Sequence, residues 1–405
     1  MKIVFSFIIF ISIFGPKFGF FDTSLLGSLI GIIILSLLKK IKIPKDGFSL
    51  FIFLTIILSY SIIIFFVSET SNLYPVLRGT RALLATLLLG IVVYNFPLRI
   101  SSMLNITIII ILINAIVIFI QILMPGIQVY FAKLYEFNKT IRNMRAFGLT
   151  AGFDTAGFLC VKGIVLSGVS FLVIKKSMKY ILVLSIFSIA TLFTSRSTMA
   201  LSVFIVLGFA LVFIIKSKFK YKLLGIITIV LIFLALFYYI IPIFSETFYL
   251  NIFDSFESDN PASEQFAKTN ISTWINNRWI LPENEYNLIF GSTVNPDSDV
   301  GYIILIHMIG IIGLILVVSF YFLMLSKVLK NSKTFLPFKG RCHLISIEKI
   351  LLISLTIIIC LEFVTNIKNL YFFTRSHYEL TVILFFLALA GKERINLFMP
   401  KIYDK

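Results

Sequence analysis

Apolar stretches of membrane length recur along the whole chain, and no other feature restricts the fold so tightly. A stretch such as "ITIIIILINAIVIFIQIL" is continuous, with no period of two. Roughly 20 apolar residues carry an α-helix across a bilayer. In hydrocarbon every backbone N–H and C=O must pair internally, so the runs read as helices. A membrane β-barrel would instead show short alternating segments. Hydrophobic residues make up 59% of the chain and charged residues 14%, too little polar surface for a soluble fold of this length. The expected class is all-α: a polytopic membrane protein with about 12 transmembrane helices.

The runs place these spans near 3–14, 24–38, 48–67, 79–96, 103–123, 153–174, 180–194, 197–215, 222–243, 300–325, 349–366 and 377–391. The N-terminal "MKIVFSFIIFISIFGPKFG" has the outline of a signal peptide but no small-x-small cleavage site, so it reads as a retained first helix. Three regions follow: helices 1–9 over 1–243, an extracytoplasmic loop over 244–299, and helices 10–12 with a cytoplasmic tail over 300–405. Within the loop, "SEQFAKTNISTWINNRW" suits one or two short helices, while "PENEYN" and "NPDSD" read as turns. A loop this long inside a helical bundle suits a cap over a cavity.

The net charge is +17. Basic residues cluster in short loops between apolar runs, so they set topology and do not imply nucleic acid. With both termini cytoplasmic, 23 of the 36 basic residues fall inside, and most acidic residues fall outside. Cys160 and Cys360 lie in apolar runs and Cys342 in a basic loop, a spacing that gives neither a disulfide framework nor a metal site. No cofactor, metal or cytoplasmic phosphate-binding glycine loop is expected.

Lysine dominates inside, but 7 of the 10 arginines face outside: Arg78, Arg81, Arg142, Arg145, Arg196, Arg278 and Arg375. Topology alone does not separate the two residue types. The guanidinium fork suits bidentate binding of phosphate, where lysine offers a point charge. The outer face is therefore expected to hold an anion.

Three stretches gather candidate residues. In "RNMRAFGLTAGFDTAGF", Arg142 and Arg145 precede a glycine-rich helix entry that carries Asp154. Arg196 stands alone in the tight hinge "TLFTSRSTMALS", beside Ser195, Ser197 and Thr198. "NLIFGSTVNPDSDVGYIILIHMIGIIG" carries Asp297 and Asp299 just before a span, with Tyr302 inside it and His307 deeper. An acidic residue there suits the helix dipole, or serves as a general base. His307 reads as a packed bundle residue. Arg78 and Arg81 lie one turn apart on one helix face. Other ionisable residues of the outer face are Glu69, Glu362, Arg375, His377 and Glu379.

In these stretches, and in its span layout, the chain resembles the O-antigen and capsular polysaccharide polymerases (Wzy-type) of the O-antigen polymerase and ligase superfamily. The resemblance implies a GT-C-like bundle and an inverting, metal-independent glycosyltransferase in the bacterial cytoplasmic (inner) membrane. Its active site would face outward. Its substrate would be an undecaprenyl-diphosphate-linked oligosaccharide, with a chain-length regulator as a further partner. Arg145 and Arg196 would then hold the donor diphosphate, Arg278 would act from the loop, and Asp299 would be the base. Arg78, Arg81, Arg142, Asp154, Asp297, Tyr302 and His377 are the substrate-binding candidates. Ligases of the superfamily typically carry a histidine where this chain has Ser298-Asp299, which favours the polymerase. A ligase and a lipid-linked oligosaccharide flippase remain the alternatives. For a polymerase the arginines should gather at one end of a cavity, and for a flippase they should spread through its depth.

Overall fold

The computed structural model describes residues 1–18, 21–39, 41–68, 72–135, 145–174, 178–216, 278–296, 298, 300–332, 343–368 and 370–398. The expected span 222–243 and most of the 244–299 loop lie outside the described residues. The helices are α1 (Lys2–Phe14), α2 (Thr23–Leu37), α3 (Lys45–Val67), α4 (Tyr74–Asn95), α5 (Ile100–Leu123), α6 (Pro125–Leu134) and α7 (Phe153–Val173). They continue with α8 (Met178–Leu192), α9 (Arg196–Lys216), α10 (Glu285–Phe290), α11 (Gly301–Ser332), α12 (His343–Thr365) and α13 (His377–Phe398). A two-residue antiparallel pair, β1 (Lys17–Phe18) with β2 (Phe21–Asp22), precedes α2.

Among the described residues, five helices are long and apolar enough to cross a bilayer: α3, α4, α5, α7 and the Gly301–Lys330 part of α11. The chain is thus an α-helical membrane protein. Helix α7 is 83% buried over its most apolar window, while α3 is 28% buried. So α7 is the hub, and α3 turns Ile52, Ile56, Ile63 and Phe66 outward. Helix α4 passes through a π-helical turn at Ala85–Leu89, in which Thr86 bonds to the Ala82 carbonyl and the Tyr378 hydroxyl.

Helices α3 and α4 run in opposite directions, as do α12 and α13, which sorts their loops to two ends. One end carries lysines: the Lys42 backbone and the Asn95 side chain exchange two hydrogen bonds, and Lys327 meets Asp46 at 3.2 Å. The other end carries Arg78, Arg81, Arg145, Arg278 and Arg375. There Ser376 donates to the Ile13 carbonyl, Tyr135 to the Phe14 carbonyl, and Ser68 to the Ser292 carbonyl.

Two segments at the arginine end have irregular backbone, and each is satisfied by protein groups, as burial in a bilayer requires. Residues 146–149 run along α5. The Gln121 carbonyl oxygen accepts from the Phe147 and Gly148 amides, its amide donates to the Gly148 carbonyl, and Asn114 accepts from Leu149. Gly148 has φ 57°, a left-handed conformation open to glycine, and a Cβ there would meet Asn114. In α11, Gly310 breaks the helix at φ 67°. The Ser292 and Thr293 amides donate to the His307 and Met308 carbonyls just before that break, and Gly291 packs against it. "PENEYN" differs from its reading as a turn: Asn284 caps Tyr286, and the segment enters α10.

Gln121→Leu is expected to destabilise the protein. It orphans two buried N–H groups and one carbonyl, each costing about 1–3 kcal/mol. A lower melting temperature of the purified protein in nanodiscs checks this; Gln121→Glu, which keeps the acceptor, should lose less.

Candidate functional site

The site starts from the spacing of Arg78 and Arg81 on α4. One turn apart, they leave the helix in the same direction, toward the 370–375 segment and the β2–α2 corner. Arg78 donates to the Phe372 carbonyl at 3.0 Å through Nε, to the Leu370 carbonyl, to the Thr374 hydroxyl and to the Tyr74 hydroxyl. All these acceptors are neutral, so the contacts hold the side chain without cancelling its charge.

Arg81 pairs with two carboxylates. Its Nε lies 3.0 Å from Asp22 Oδ2, and its Nη2 bonds to Glu379. Arg375 Nη2 lies 3.0 Å from Asp22 Oδ1. Asp22 therefore bridges two guanidinium groups while also capping α2 through the Ser24 amide. Burial raises the carboxyl pKa of Asp22, but Arg375 and Arg81, with the Ser24 bonds, outweigh it and hold the group below the ordinary aspartate range.

These residues line a cavity of about 820 Å³ between α2, α4, α11 and the 370–375 segment. Arg78, Arg81 and Arg375 lie on its wall, with Asp22 as the lining carboxylate among the described residues. Leu25, Leu77, Leu84, Ile304 and Met308 form its apolar side. A smaller recess of about 100 Å³ adjoins it, lined by Tyr135, Thr150, Thr155 and Ser376, and shares Thr374 and Arg375. A cationic, hydroxyl-lined cleft thus adjoins an apolar wall, which suits an amphipathic anion.

The first two of the three sequence stretches meet. The Ala146 amide donates to the Phe193 carbonyl, and Ser197 donates to Asp154 at 3.2 Å. Gly157 packs against the Thr194 and Thr198 side chains, where a Cβ would overlap both hydroxyls. The third stretch lines the large cavity through Asn295, Ile304 and Met308, and its Gly291 packs against Gly310.

The expected site residues divide accordingly. Arg78 and Arg81 line the cavity. Asp154 stands beside the α9 entry. Arg145 is fixed through its carbonyl, which accepts from Gln128, and Arg278 through its carbonyl, which accepts from Ser298. Arg196 begins α9, but its side chain lies outside the described residues, as do Arg142, Asp297 and Asp299. Tyr302 donates to the Phe363 carbonyl and packs on Phe372, away from the cavity lining. His377 is fully buried between the Phe158 and Tyr371 rings, at 4.9 and 5.3 Å, and does not reach the cavity. Its neighbour Glu379 holds Arg81. His307 bonds to the Ile280 carbonyl.

Sequence reasoning missed the bridge from Asp22 to Arg375. Its one local sign is Asp22 as an acidic cap immediately before an apolar run. It also missed that Lys162 and Glu362, both fully buried, pair at 2.5 Å. The chain matches no family model, no curated protein and no solved structure.

Proposed function

We propose that the chain is a polymerase of undecaprenyl-diphosphate-linked oligosaccharide repeat units. It works at the outer face of the cytoplasmic membrane, in a GT-C-like bundle of about twelve spans with the arginine end outward. A single observation carries the reading: Arg78, Arg81 and Arg375 line one cavity of about 820 Å³ that also has an apolar side. A lipid-linked diphosphate is an anion on a hydrocarbon tail, and this wall matches both parts.

In the reaction, a hydroxyl of the acceptor repeat unit attacks the anomeric carbon of the donor chain from the face opposite the diphosphate. The bond from that carbon to the diphosphate oxygen breaks, and its electron pair leaves on the diphosphate. The acceptor proton passes to a base, the role that the family resemblance gives to Asp299. Charge grows on the leaving diphosphate as the bond breaks. Preorganised guanidinium groups there stabilise the transition state more than the ground state. The donor is already activated, so no nucleotide is needed.

Two observations favour this reading over its alternatives. The arginines of the cavity gather at one end of the bundle, as a polymerase requires, rather than along the full depth a flippase would use. His377 is enclosed by aromatic rings, which speaks against its serving as the histidine of a ligase.

Deletion of the gene is expected to leave single repeat units on lipid and no long polymer, read as the ladder of surface glycan on a gel. A normal long-chain ladder in the deletion strain overturns the proposal.

A further inference from the structure

The cavity wall already holds an anion of the protein's own. Asp22 places one carboxylate oxygen 3.0 Å from Arg81 Nε and the other 3.0 Å from Arg375 Nη2. This is the spacing at which two oxygens of one phosphate would meet two guanidinium groups. Yet neither contact has the direction of a hydrogen bond. Arg81 Nε and Arg375 Nη2 are buried and undirected, and so is the second oxygen of Glu379. The charges are matched, but the donors are not fully used.

We infer that Asp22 is an internal place-holder. It occupies the Arg81–Arg375 seat until a phosphate or diphosphate oxyanion displaces it. The inference rests on the reading of this cavity as the diphosphate site and adds to it what holds the two guanidinium groups in place before a substrate arrives.

Three features argue for displacement rather than a permanent strut. The strand pairing at Asp22 is a ladder of only two residue pairs, Lys17 with Asp22 and Phe18 with Phe21, and Thr23 holds the corner to the Pro16 carbonyl, so rotating the Asp22 side chain away gives up its Ser24 cap bond and no ladder pair. Arg78 stands on the same wall with neutral partners, so the three guanidinium groups carry more charge than Asp22 and Glu379 together cancel. A diphosphate brings more charge and more acceptor oxygens than an aspartate, and can use the donors that Asp22 leaves undirected. Asp22 also keeps the Arg81 and Arg375 guanidinium groups from facing each other with no carboxylate between them, a like-charge arrangement that costs stability.

The test uses the full-length protein in nanodiscs, with inorganic pyrophosphate and farnesyl diphosphate as probes in titration calorimetry. Asp22→Asn and Asp22→Ser both keep a good helix cap for α2 but remove the competing charge. Each is expected to bind the probes roughly tenfold more tightly than wild type, the size of a typical coupling between competing ligands. Arg375→Gln should lose binding. Tightening confined to farnesyl diphosphate assigns the seat to a lipid-borne phosphate, and equal tightening with pyrophosphate assigns it to the phosphate group alone. Melting curves of the two capped variants show that both are folded. If both Asp22 variants bind no more tightly than wild type while Arg375→Gln loses binding, the place-holder is overturned and the anion site stands. If neither wild type nor either Asp22 variant binds either probe, the anion site falls as well.

Discussion

Arg81→Gln is expected to reduce long-chain polysaccharide at least a hundredfold while the protein stays in the membrane. The argument rests on the proposed function and runs from geometry to rate. Arg81 lies on the cavity wall between Asp22 and Glu379, and its side chain is 19% exposed. A guanidinium held this way needs no reorganisation as charge develops on a leaving diphosphate. Removing one such preorganised donor typically costs about 10²–10³ in rate, or roughly 2.7–4 kcal/mol. The substitution has a second consequence. It leaves Glu379, 2% exposed, without its cation. Some loss of stability is therefore expected alongside the loss of product, and the two must be separated. Arg81→Gln combined with Glu379→Gln removes both charges, so stability should recover while polymerisation does not. Arg81→Lys keeps the charge without the fork and should retain an intermediate amount of product. The measurements are glycan chain length in cells and membrane level by immunoblot. Polymer of normal length and amount in Arg81→Gln would remove this arginine from the mechanism.

How far the site was legible in the sequence follows from which forces act locally. Apart from the short α6 and α10, the described helices fall where the apolar runs do, because in lipid a continuous apolar run of this length has one way to satisfy its backbone. The gathering of arginines at one end was visible as a contrast between Arg and Lys in alternate loops. The pairing of Arg78 with Arg81 was visible from helical spacing. Which arginines share a cavity was not visible. Asp22 and Arg375 are 353 positions apart, and their meeting depends on how α2, α4 and α13 pack. Emphasis on Arg145, Arg196 and Arg278 came from resemblance in short stretches, whereas Arg375 has no motif around it. The glycine-rich entry that holds Gly148 did mark irregular backbone, whereas Gly291 and Gly310 did not stand out. What that entry could not convey is that Gln121 and Asn114, inside an apolar helix, supply the missing partners. His377 reads as an outer-face residue by its position at a helix start. It is instead enclosed, because the 370–376 segment folds over it and Phe158 closes the other side.

Lys162→Met is expected to be strongly destabilising, and a second substitution should repair it. Lys162 stands at the middle of α7, fully buried, where a lone ammonium in a bilayer costs about 2.5–3.5 kcal/mol on insertion scales. It is not alone. Its Nζ lies 2.5 Å from Glu362 Oε1, and it donates to the Thr381 hydroxyl at 3.0 Å and the His377 carbonyl at 3.1 Å. Thr381 donates in turn to Glu362. The cluster ties α7, α12 and α13 together, with the His377 carbonyl at the start of α13 among its members. Removing the lysine strands a buried carboxylate, a loss of roughly 3–5 kcal/mol. Replacing both members, as in Lys162→Met with Glu362→Met, removes the stranded charge, and such apolar replacements are often neutral or stabilising. The double variant should therefore unfold near the wild-type temperature, and far above Lys162→Met. A double variant as unstable as the single one would show that the two charges do not compensate each other. The same variant also bears on function. A flippase coupled to ion movement would need a charged pair at this depth, and the double variant lacks the Lys162–Glu362 pair. Long-chain polysaccharide made at normal length by that variant leaves the pair as a strap between α7 and α12, with the chemistry in the cavity.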